Sequence, residues 1–572
     1  MDNNAIADNF SLLSKLMDIN GENSFKTKTY AIAAFHIEKL PGQLLETPRD
    51  KITGIKGIGE SAGKKIIEML DTGELRVLKE YLEKTPPGVV EMLYIKGIGP
   101  KKIHTIWKEM GLESIGELQY ACQENRLTLY KGFGEKTQQN VLEAINFYLG
   151  HQGHFLYAQL DAIFPQIDGY LKKIFSPEQV RVTGAYRRQE LTIEELEFII
   201  TGTNENIKPK FQTAQPPELL EETQDSLLYK LKNGLKLRLY TGGDNRAERL
   251  FDTTGSIEFL EAFKKTFPGL QYTGDETEND EIIFTKAKIP PILPCLRESA
   301  AIIEKAKKNK LPVLIQVSDI RSIIHSHSNW SDGVNTVEEM ANECIKRGHE
   351  YLVLSDHSQT AFYANGLKED RVKEQHRHID ELNKKLKLPP SPESSVGQPF
   401  KIFKSIESDI LNDGSLDYPE NVLKTFDLVI ASIHSNLKMP EDKAMKRLIT
   451  AIENPYTTIL GHMTGRLLLS RNGYPVDHKK IIEACAANHV VIEINAHPRR
   501  LDIDWKWVDY AIQKGVLLSI DPDAHALEGF DDVKYGVLAA QKGGLTKENN
   551  LSSFSLQQFD NFLVTRRKKK GL

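Results

Sequence analysis

RSIIHSHS (321–328) is a short apolar run, rich in β-branched residues, that ends in two histidines. Six runs of the same make follow: YLVLSDHS (351–358), KIFKSIESDI (401–410), FDLVIASIHS (426–435), TTILGHMT (457–464), VVIEINA (490–496) and VLLSIDPDAH (516–525). Each is bounded by turn residues, which predicts a buried strand in a parallel sheet. Most of the intervening stretches carry helical patterning, so the region reads as a βα barrel with its functional groups at the C-terminal rim. The run ends supply His325 and His327, then His357, Glu407, His434, His462, and finally Asp523 with His525. Imidazoles mixed with carboxylates suit zinc, manganese or iron without choosing among them. In H-x-H at a strand end both imidazoles are expected on one face, because side chains alternate with period two. Six of the 16 histidines fall at these ends, which scattered core or surface histidines would not do. Metal-dependent hydrolysis is the expected chemistry.

The 572 residues suit about three or four domains of ordinary size. A hydrophobic content of 40% and a charged content of 27% allow several buried cores. No apolar stretch reaches the length of about 18 residues that a membrane helix needs. The opening MDNNAIADNF lacks the basic-then-apolar layout of a secretory signal. Cys122, Cys295, Cys344 and Cys485 lie far apart with no CxxC pair, which fits a reducing cytoplasm. A net charge of −5 makes no global case for nucleic-acid binding, so any such case must be local. The basic run Arg566–Lys570 (RRKKK) reads as a solvated tail.

Residues 1–150 are helical in pattern and repeat one motif: GIKGIGESAGKKI (54–66), YIKGIGPKKI (94–103) and YKGFGEKTQQNV (130–141). Gly57 with Gly59, and Gly97 with Gly99, allow a tight turn at positive φ and close approach of a partner. The following helix offers free N–H groups to a phosphate. Lys64, Lys65, Lys101 and Lys102 then stand in its first turns, able to neutralise a DNA backbone. The field is confined to these hairpins, since the segment holds 19 Lys and Arg against 20 Asp and Glu. Residues 151–318 read as mixed α/β, with strands in VRVTGAYRR (180–188), ELEFIITG (195–202) and GLKLRLYTG (234–242). PKFQTAQPPELLEE (209–222) reads as a polar loop entering a helix, and LPPSPESSVGQP (388–399) as an exposed, mobile loop within the barrel.

Paired helix-hairpin-helix motifs, then TGAYRR, then HSHSNWSDG form an order that resembles the bacterial family X DNA polymerases carrying a C-terminal PHP (polymerase and histidinol phosphatase) domain. The resemblance covers essentially the whole chain. It implies helical hairpin domains at 1–85 and 86–150 (the second fingers-like), a palm-like domain at 151–245 and a thumb-like domain with linker at 246–318. A PHP (β/α)7 barrel follows at 319–572, in an overall multidomain α/β architecture.

In the family, three palm carboxylates hold two magnesium ions. Those positions fall here on Glu195, Glu197 and Lys236, while Ala185 and Gln189 replace the serine and closing glycine of the first palm motif. Glu adds a methylene where magnesium demands near-ideal octahedral geometry. Lys236 removes a ligand and is expected to ion-pair with Glu195 and Glu197. The polymerase site is therefore expected to be inactive, with Arg187 and Arg188 kept as scaffold or DNA contact.

The PHP pattern, by contrast, is intact. The resemblance adds Asp332 and implies three divalent metal ions: one on His325, His327, Glu407 and Asp523, one on Glu407, His434 and His462, and one on Asp332, His357 and His525. Clustered metals lower the pKa of water and clamp phosphate oxygens, so no Ser or Cys nucleophile is needed. Arg466 and Arg500 are candidate phosphate-binding residues, and Asp356, Asp409, Glu493 and Asn495 are expected to orient the ligands. Met463 stands where relatives often have proline, with little expected effect.

The implied function is a DNA phosphodiesterase: a 3′–5′ exonuclease, with abasic-site endonuclease or 3′-phosphatase activity beside it, in DNA repair. Its partner would be gapped, nicked or 3′-damaged DNA, and its location the cytoplasm, on the nucleoid. The alternatives are an active gap-filling polymerase with exonuclease, a small-molecule phosphatase of the histidinol phosphatase kind, and a non-catalytic DNA-binding scaffold.

Overall fold

Helix α1 (Asn3–Ile19) opens the chain behind the cap Asp2, whose carboxylate accepts the Ala5 N–H at 2.8 Å. Its residues Ile6, Phe10, Leu13 and Met17, spaced at helical period, are buried, and the helix packs on α2 (Ser24–Glu38). A computed structural model describes all residues except 39, 41, 150–152, 212–215, 243–245, 271–278 and 387–399. The loop expected at 388–399 thus lies outside the described residues. The chain forms two compact units, 1–123 with 127–148, and 124–126 with 149–572.

In the first unit the three glycine repeats make the same turn. Gly57, Gly97 and Gly132 have φ of +88°, +90° and +94°. The residue after each, Ile58, Ile98 or Phe133, is buried. The helices α3 (Glu60–Thr72), α4 (Pro100–His104) and α5 (Glu135–Leu149) then begin, the first two behind Gly59 and Gly99.

The second unit begins with a five-stranded sheet of β1 (Val180–Thr183), β2 (Glu195–Thr201), β3 (Glu218–Glu222), β4 (Ser226–Lys230) and β5 (Lys236–Gly242), in the order β1-β2-β5-β4-β3. Strand β3 corrects the helix expected over PELLEE. Its acidic residues, all exposed, leave helical and strand patterning indistinguishable in sequence, and antiparallel pairing with β4 decides it.

The barrel strands are β6 (Ser322–Ile323), β7 (Tyr351–Leu354), β8 (Lys401–Lys404), β9 (Glu407–Asp409), β10 (Val429–Ser432), β11 (Thr457–Leu460), β12 (Val491–Asn495) and β13 (Leu518–Asp521). Neighbours pair in parallel, in sequence order. The third apolar run is interrupted at Ser405–Ile406, so that β8 pairs with β7 while β9 pairs with β10. The rim closes where the His327 N–H donates to the Ala524 carbonyl at 2.8 Å.

Two apolar layers follow from the alternation along each strand. Ile324, Val353, Phe403, Ile430, Ile459 and Val491 pack with Phe559 and Leu563 of the last helix, α6 (Leu556–Lys570). Leu352, Leu354, Ile402 and Ile492 belong to the larger core that also takes in the helices between the strands. The RRKKK run is therefore a helix end and not a free tail, although Lys568 and Lys569 are exposed. It ends α6, and Arg566, 4% exposed, donates to the carbonyls of His489, Pro455 and Thr457 at the strand starts.

Candidate metal centre

Each run end delivers its side chain to one buried cup. His325 and His327 converge on Asp523 Oδ1, their Nε2 atoms at 3.4 and 3.0 Å. The cause differs from the alternation expected of H-x-H. Strand β6 has already ended, and His325 takes a left-handed φ of +59° that turns its ring inward. Asp523 opposite has φ +53°. Two residues with strained backbone thus face each other where the barrel closes, and held strain of this kind clusters at functional sites.

Glu407 is the hub. Its Oε1 lies 3.3 Å from His325 Nε2, 3.1 Å from His434 Nε2 and 2.9 Å from His462 Nε2. Its Oε2 lies 3.0 Å from His357 Nδ1. Asp332 Oδ2 stands 3.5 Å from both His357 Nε2 and His525 Nε2. Three groups have ligand atoms close enough to share an ion: His325, His327, Glu407 and Asp523; His357, Glu407 and His434; and His327, Asp332, His357 and His525. The first is the expected set. In the second, His357 joins Glu407 and His434 in place of His462, although His462 meets the same Glu407 Oε1 as His434 does. The third gains His327.

The donor chemistry fits divalent metals. His325 Nε2, His327 Nδ1, Asp332 Oδ2, His357 Nδ1, Glu407 Oε2, His462 Nδ1 and His525 Nε2 are buried without a hydrogen-bond partner. So many orphaned atoms in one cup would be costly unless something else satisfied them. Burial opposes charge on His434, but Glu407 and Asp409 outweigh it and raise the imidazole to about 10. His462 is driven the other way, to about 3, by burial and by Arg500.

Around the cup, Asp409 Oδ1 holds His434 Nδ1 at 2.6 Å and Glu493 Oε2 holds His325 Nδ1 at 2.6 Å. Asn495 donates to Asp523 Oδ2 at 3.0 Å. These fix ring and carboxylate orientation. Asp356 instead holds the segment after the H-x-H, accepting from Ser328 N–H and Oγ and from Gln375. Arg500 is 5% exposed, with Nε 3.8 Å from Asp523 Oδ2. Arg466 is turned away: Nε donates to the Arg500 carbonyl, Nη1 pairs with Asp504 at 2.5 Å, and Nη2 donates to the Leu501 carbonyl. It braces the loop that presents Arg500.

The palm positions look different. Glu195 is paired with Arg238 at 2.6 Å, and Lys236, beside Glu195 in register, makes no ion pair among the described residues. Arg238, two residues on, thus does what was expected of Lys236, because side chains two apart share a face. Glu197 turns to the Gly184–Arg187 turn, accepting from Ala185 N–H at 2.9 Å and from the Tyr240 hydroxyl at 3.0 Å. Burial holds its carboxyl above the usual range against those bonds. Arg187 grips Asp280 through two nitrogens, and Arg188 reaches the Thr254 carbonyl, so both serve the scaffold.

In the hairpins, Lys64 and Lys101 are exposed, and Lys65 and Lys102 half-buried over the rings of Tyr30 and Phe133. Lys64 shares its charge with Glu60 at 2.8 Å.

Comparison with known proteins fits this geometry. Residues 324–497 match the family model of the PHP domain, residues 1–75 that of a helix-hairpin-helix domain, and residues 89–146 that of a SAM-like helix-hairpin-helix tandem. A DNA polymerase/3'-5' exonuclease PolX of Bacillus subtilis (strain 168) is 33% identical over 567 residues, 96% of each chain. A protein named as a probable phosphatase in Thermoanaerobacter sp. (strain X514) is 26% identical over 258 residues, 43% of this chain and 96% of its own. Another so named, from Caldanaerobacter subterraneus subsp. tengcongensis, is 30% identical over 182 residues, 30% of this chain and 60% of its own. Similarity to the Bacillus protein along nearly the whole length, with both hairpin matches and the PHP match in place, settles the family: the chain belongs to the PolX family and carries a PHP domain.

Proposed function

We propose that this chain is a metal-dependent DNA phosphodiesterase that removes nucleotides from 3′ ends, and that its polymerase site is inactive. One contrast carries the reading. Nine metal-seeking side chains meet in the barrel cup, while in the palm an arginine occupies the Glu195 carboxylate that a metal would need.

Three metals of the zinc, manganese or iron kind would be held by the two groups that share Glu407 and by the group around Asp332, with His462 completing the surroundings of Glu407. When bound, they supply acidity to water and charge against the phosphate oxygens. Arg500 places the phosphate beside Asp523, and Arg466 holds Arg500 in position. Glu493, Asp409 and Asn495 keep the ligands aimed. Residues 1–85 and 86–150 grip the DNA backbone through Gly57, Gly59, Gly97 and Gly99 and the lysines behind them. Residues 151–245 and 246–318 serve as a spacer, and 319–572 does the chemistry. Gapped, nicked or 3′-damaged DNA is the substrate, which puts the protein on the nucleoid.

A 5′-labelled gapped duplex incubated with manganese, with and without deoxynucleotides, tests this. Wild type is expected to shorten the primer and never extend it, and His325→Ala/His327→Ala to do neither. Extension by wild type would restore the polymerase reading. A second reading, a phosphatase acting on small monoesters, draws on the likeness of 43% of this chain to a probable phosphatase. Faster turnover of histidinol phosphate than of single-stranded DNA would favour it.

A further inference from the structure

Phe362 is 82% exposed and stands next in the chain to Tyr363, whose ring lies beside His357 and His434 of the cup. The loop carrying it is not a loose one. It leaves strand β7 through His357 and returns to it, the Leu367 N–H donating to the His357 carbonyl at 2.8 Å. Thr360 N–H donates to Asp417 at 2.7 Å, and its hydroxyl to Asp409 at 2.8 Å, the same carboxylate that holds His434. Ala361 and Ala364 on either side are fully buried. A Cβ on Gly366 would come within 1.9 Å of the Ser358 carbonyl oxygen, so the return path tolerates only glycine. The fold thus fixes a backbone around an aromatic ring and leaves that ring in solvent.

The rings form a stair out of the cup. Tyr363 lies 6.2 Å from the His357 ring and 6.5 Å from the His434 ring, and Phe362 lies 5.9 Å from Tyr363 at 77°. Tyr363 is covered by the Arg126 guanidinium, 4.5 Å from its ring, so the exposed aromatic face beside the cup is that of Phe362. A preset aromatic platform beside a phosphate site is how proteins take unpaired bases without reading their sequence, since every base has a stacking face.

We propose that Phe362 stacks the base of the 3′-terminal nucleotide, so that the cup takes unpaired or frayed 3′ ends in preference to paired ones. This rests on the exonuclease reading above and names a specificity-determining residue for it: one aromatic face that takes the unpaired terminal base, whatever its identity.

The test compares the full-length chain with Phe362→Ala and Phe362→Trp, in manganese, on three substrates. These are a 5′-labelled single-stranded oligonucleotide, the same oligonucleotide ending in an abasic nucleotide, and bis(p-nitrophenyl) phosphate. For Phe362→Ala we expect KM on the intact oligonucleotide to rise about tenfold, as the loss of one stacked base predicts. Hydrolysis of the small diester, and KM on the abasic end, should stay within about twofold of wild type, and Phe362→Trp should restore the intact substrate. An unchanged KM on the intact oligonucleotide overturns the platform while leaving the exonuclease standing. Equal losses on all three substrates overturn it too, as a structural defect. Wild type that cleaves the diester but neither oligonucleotide overturns the exonuclease reading and the platform with it.

Discussion

Asp409 hydrogen-bonds one member of the cup, His434, and so decides which nitrogen that histidine presents. With Nδ1 held at 2.6 Å by Asp409, Nε2 faces Glu407 at 3.1 Å. Asp409→Ala would free the ring and lower metal affinity about 10–100-fold. Metal content after dialysis, measured with activity, checks this, and full occupancy with full activity would refute it. That eight of the cup's side chains would meet was legible in sequence, because each closes a strand-like run on the same rim, whereas Asp332 came only with the resemblance. Their grouping was not. That His357 reaches both Glu407 and Asp332, and that His325 bends left-handed, depends on backbone angles which spacing does not encode. The pairing of Glu195 with Arg238 was illegible for the same kind of reason: Arg238 lies two residues beyond the position aligned with the motif, and only strand pairing brings its face to Glu195.

At the scale of elements, the repeated K-G-apolar-G announced its turn because positive φ at the first glycine is a local demand. Gly57, Gly97 and Gly132 meet it. The turns leave Lys101 and Lys102 at the start of α4 with no ion pair among the described residues, whereas Lys64 of α3 is shared with Glu60. The second hairpin should therefore contribute more to DNA affinity than the first. Lys101→Ala/Lys102→Ala is expected to weaken duplex binding and to flatten the plot of log K against log salt by up to about two units, roughly 0.9 for each phosphate no longer neutralised. Lys64→Ala should change the slope less. Equal slopes for wild type and the double variant would remove these lysines from the interface. Helix α6 was harder to foresee, since a basic terminal run says nothing about what lies under it. Phe559 of α6 is fully buried, its ring 4.5 Å from Tyr351. Phe559→Ala should cost about 3–5 kcal/mol through the cavity left at that end of the barrel, read as a lowered midpoint in denaturant. A midpoint unchanged from wild type would mean that α6 is an ornament on an already stable barrel.

Across the second unit, the five-stranded sheet and its turns keep their place because they are fastened to the barrel by buried charge. Lys542 is 3% exposed and follows the barrel's last strand. It donates to the Arg188 carbonyl at 2.8 Å and pairs with Glu298 at 2.5 Å and Glu190 at 3.5 Å. Leu191 packs in one cluster with Leu501 and Ala539 beside it. Burial pushes the Glu190 carboxyl up, and Lys542 and Arg188 more than offset this to hold it below its usual range. Lys542→Met keeps the volume of the side chain but leaves both carboxylates, mostly buried, with Arg188 as their remaining cation. Breaking a buried pair from one side costs about 3–5 kcal/mol, and the partial exposure of Glu190 places this variant at the lower end. The variant should unfold at a lower temperature and cleave single-stranded DNA normally at permissive temperature, because Lys542 touches none of the cup's residues. Thermal unfolding followed together with exonuclease rate separates the outcomes. An unchanged midpoint would show that the apolar cluster alone holds palm to barrel, and a lost rate at low temperature would show that the palm shapes the cup. The sequence could not reveal this coupling, since Arg188 and Lys542 stand more than 350 positions apart and neither belongs to a motif that names the other.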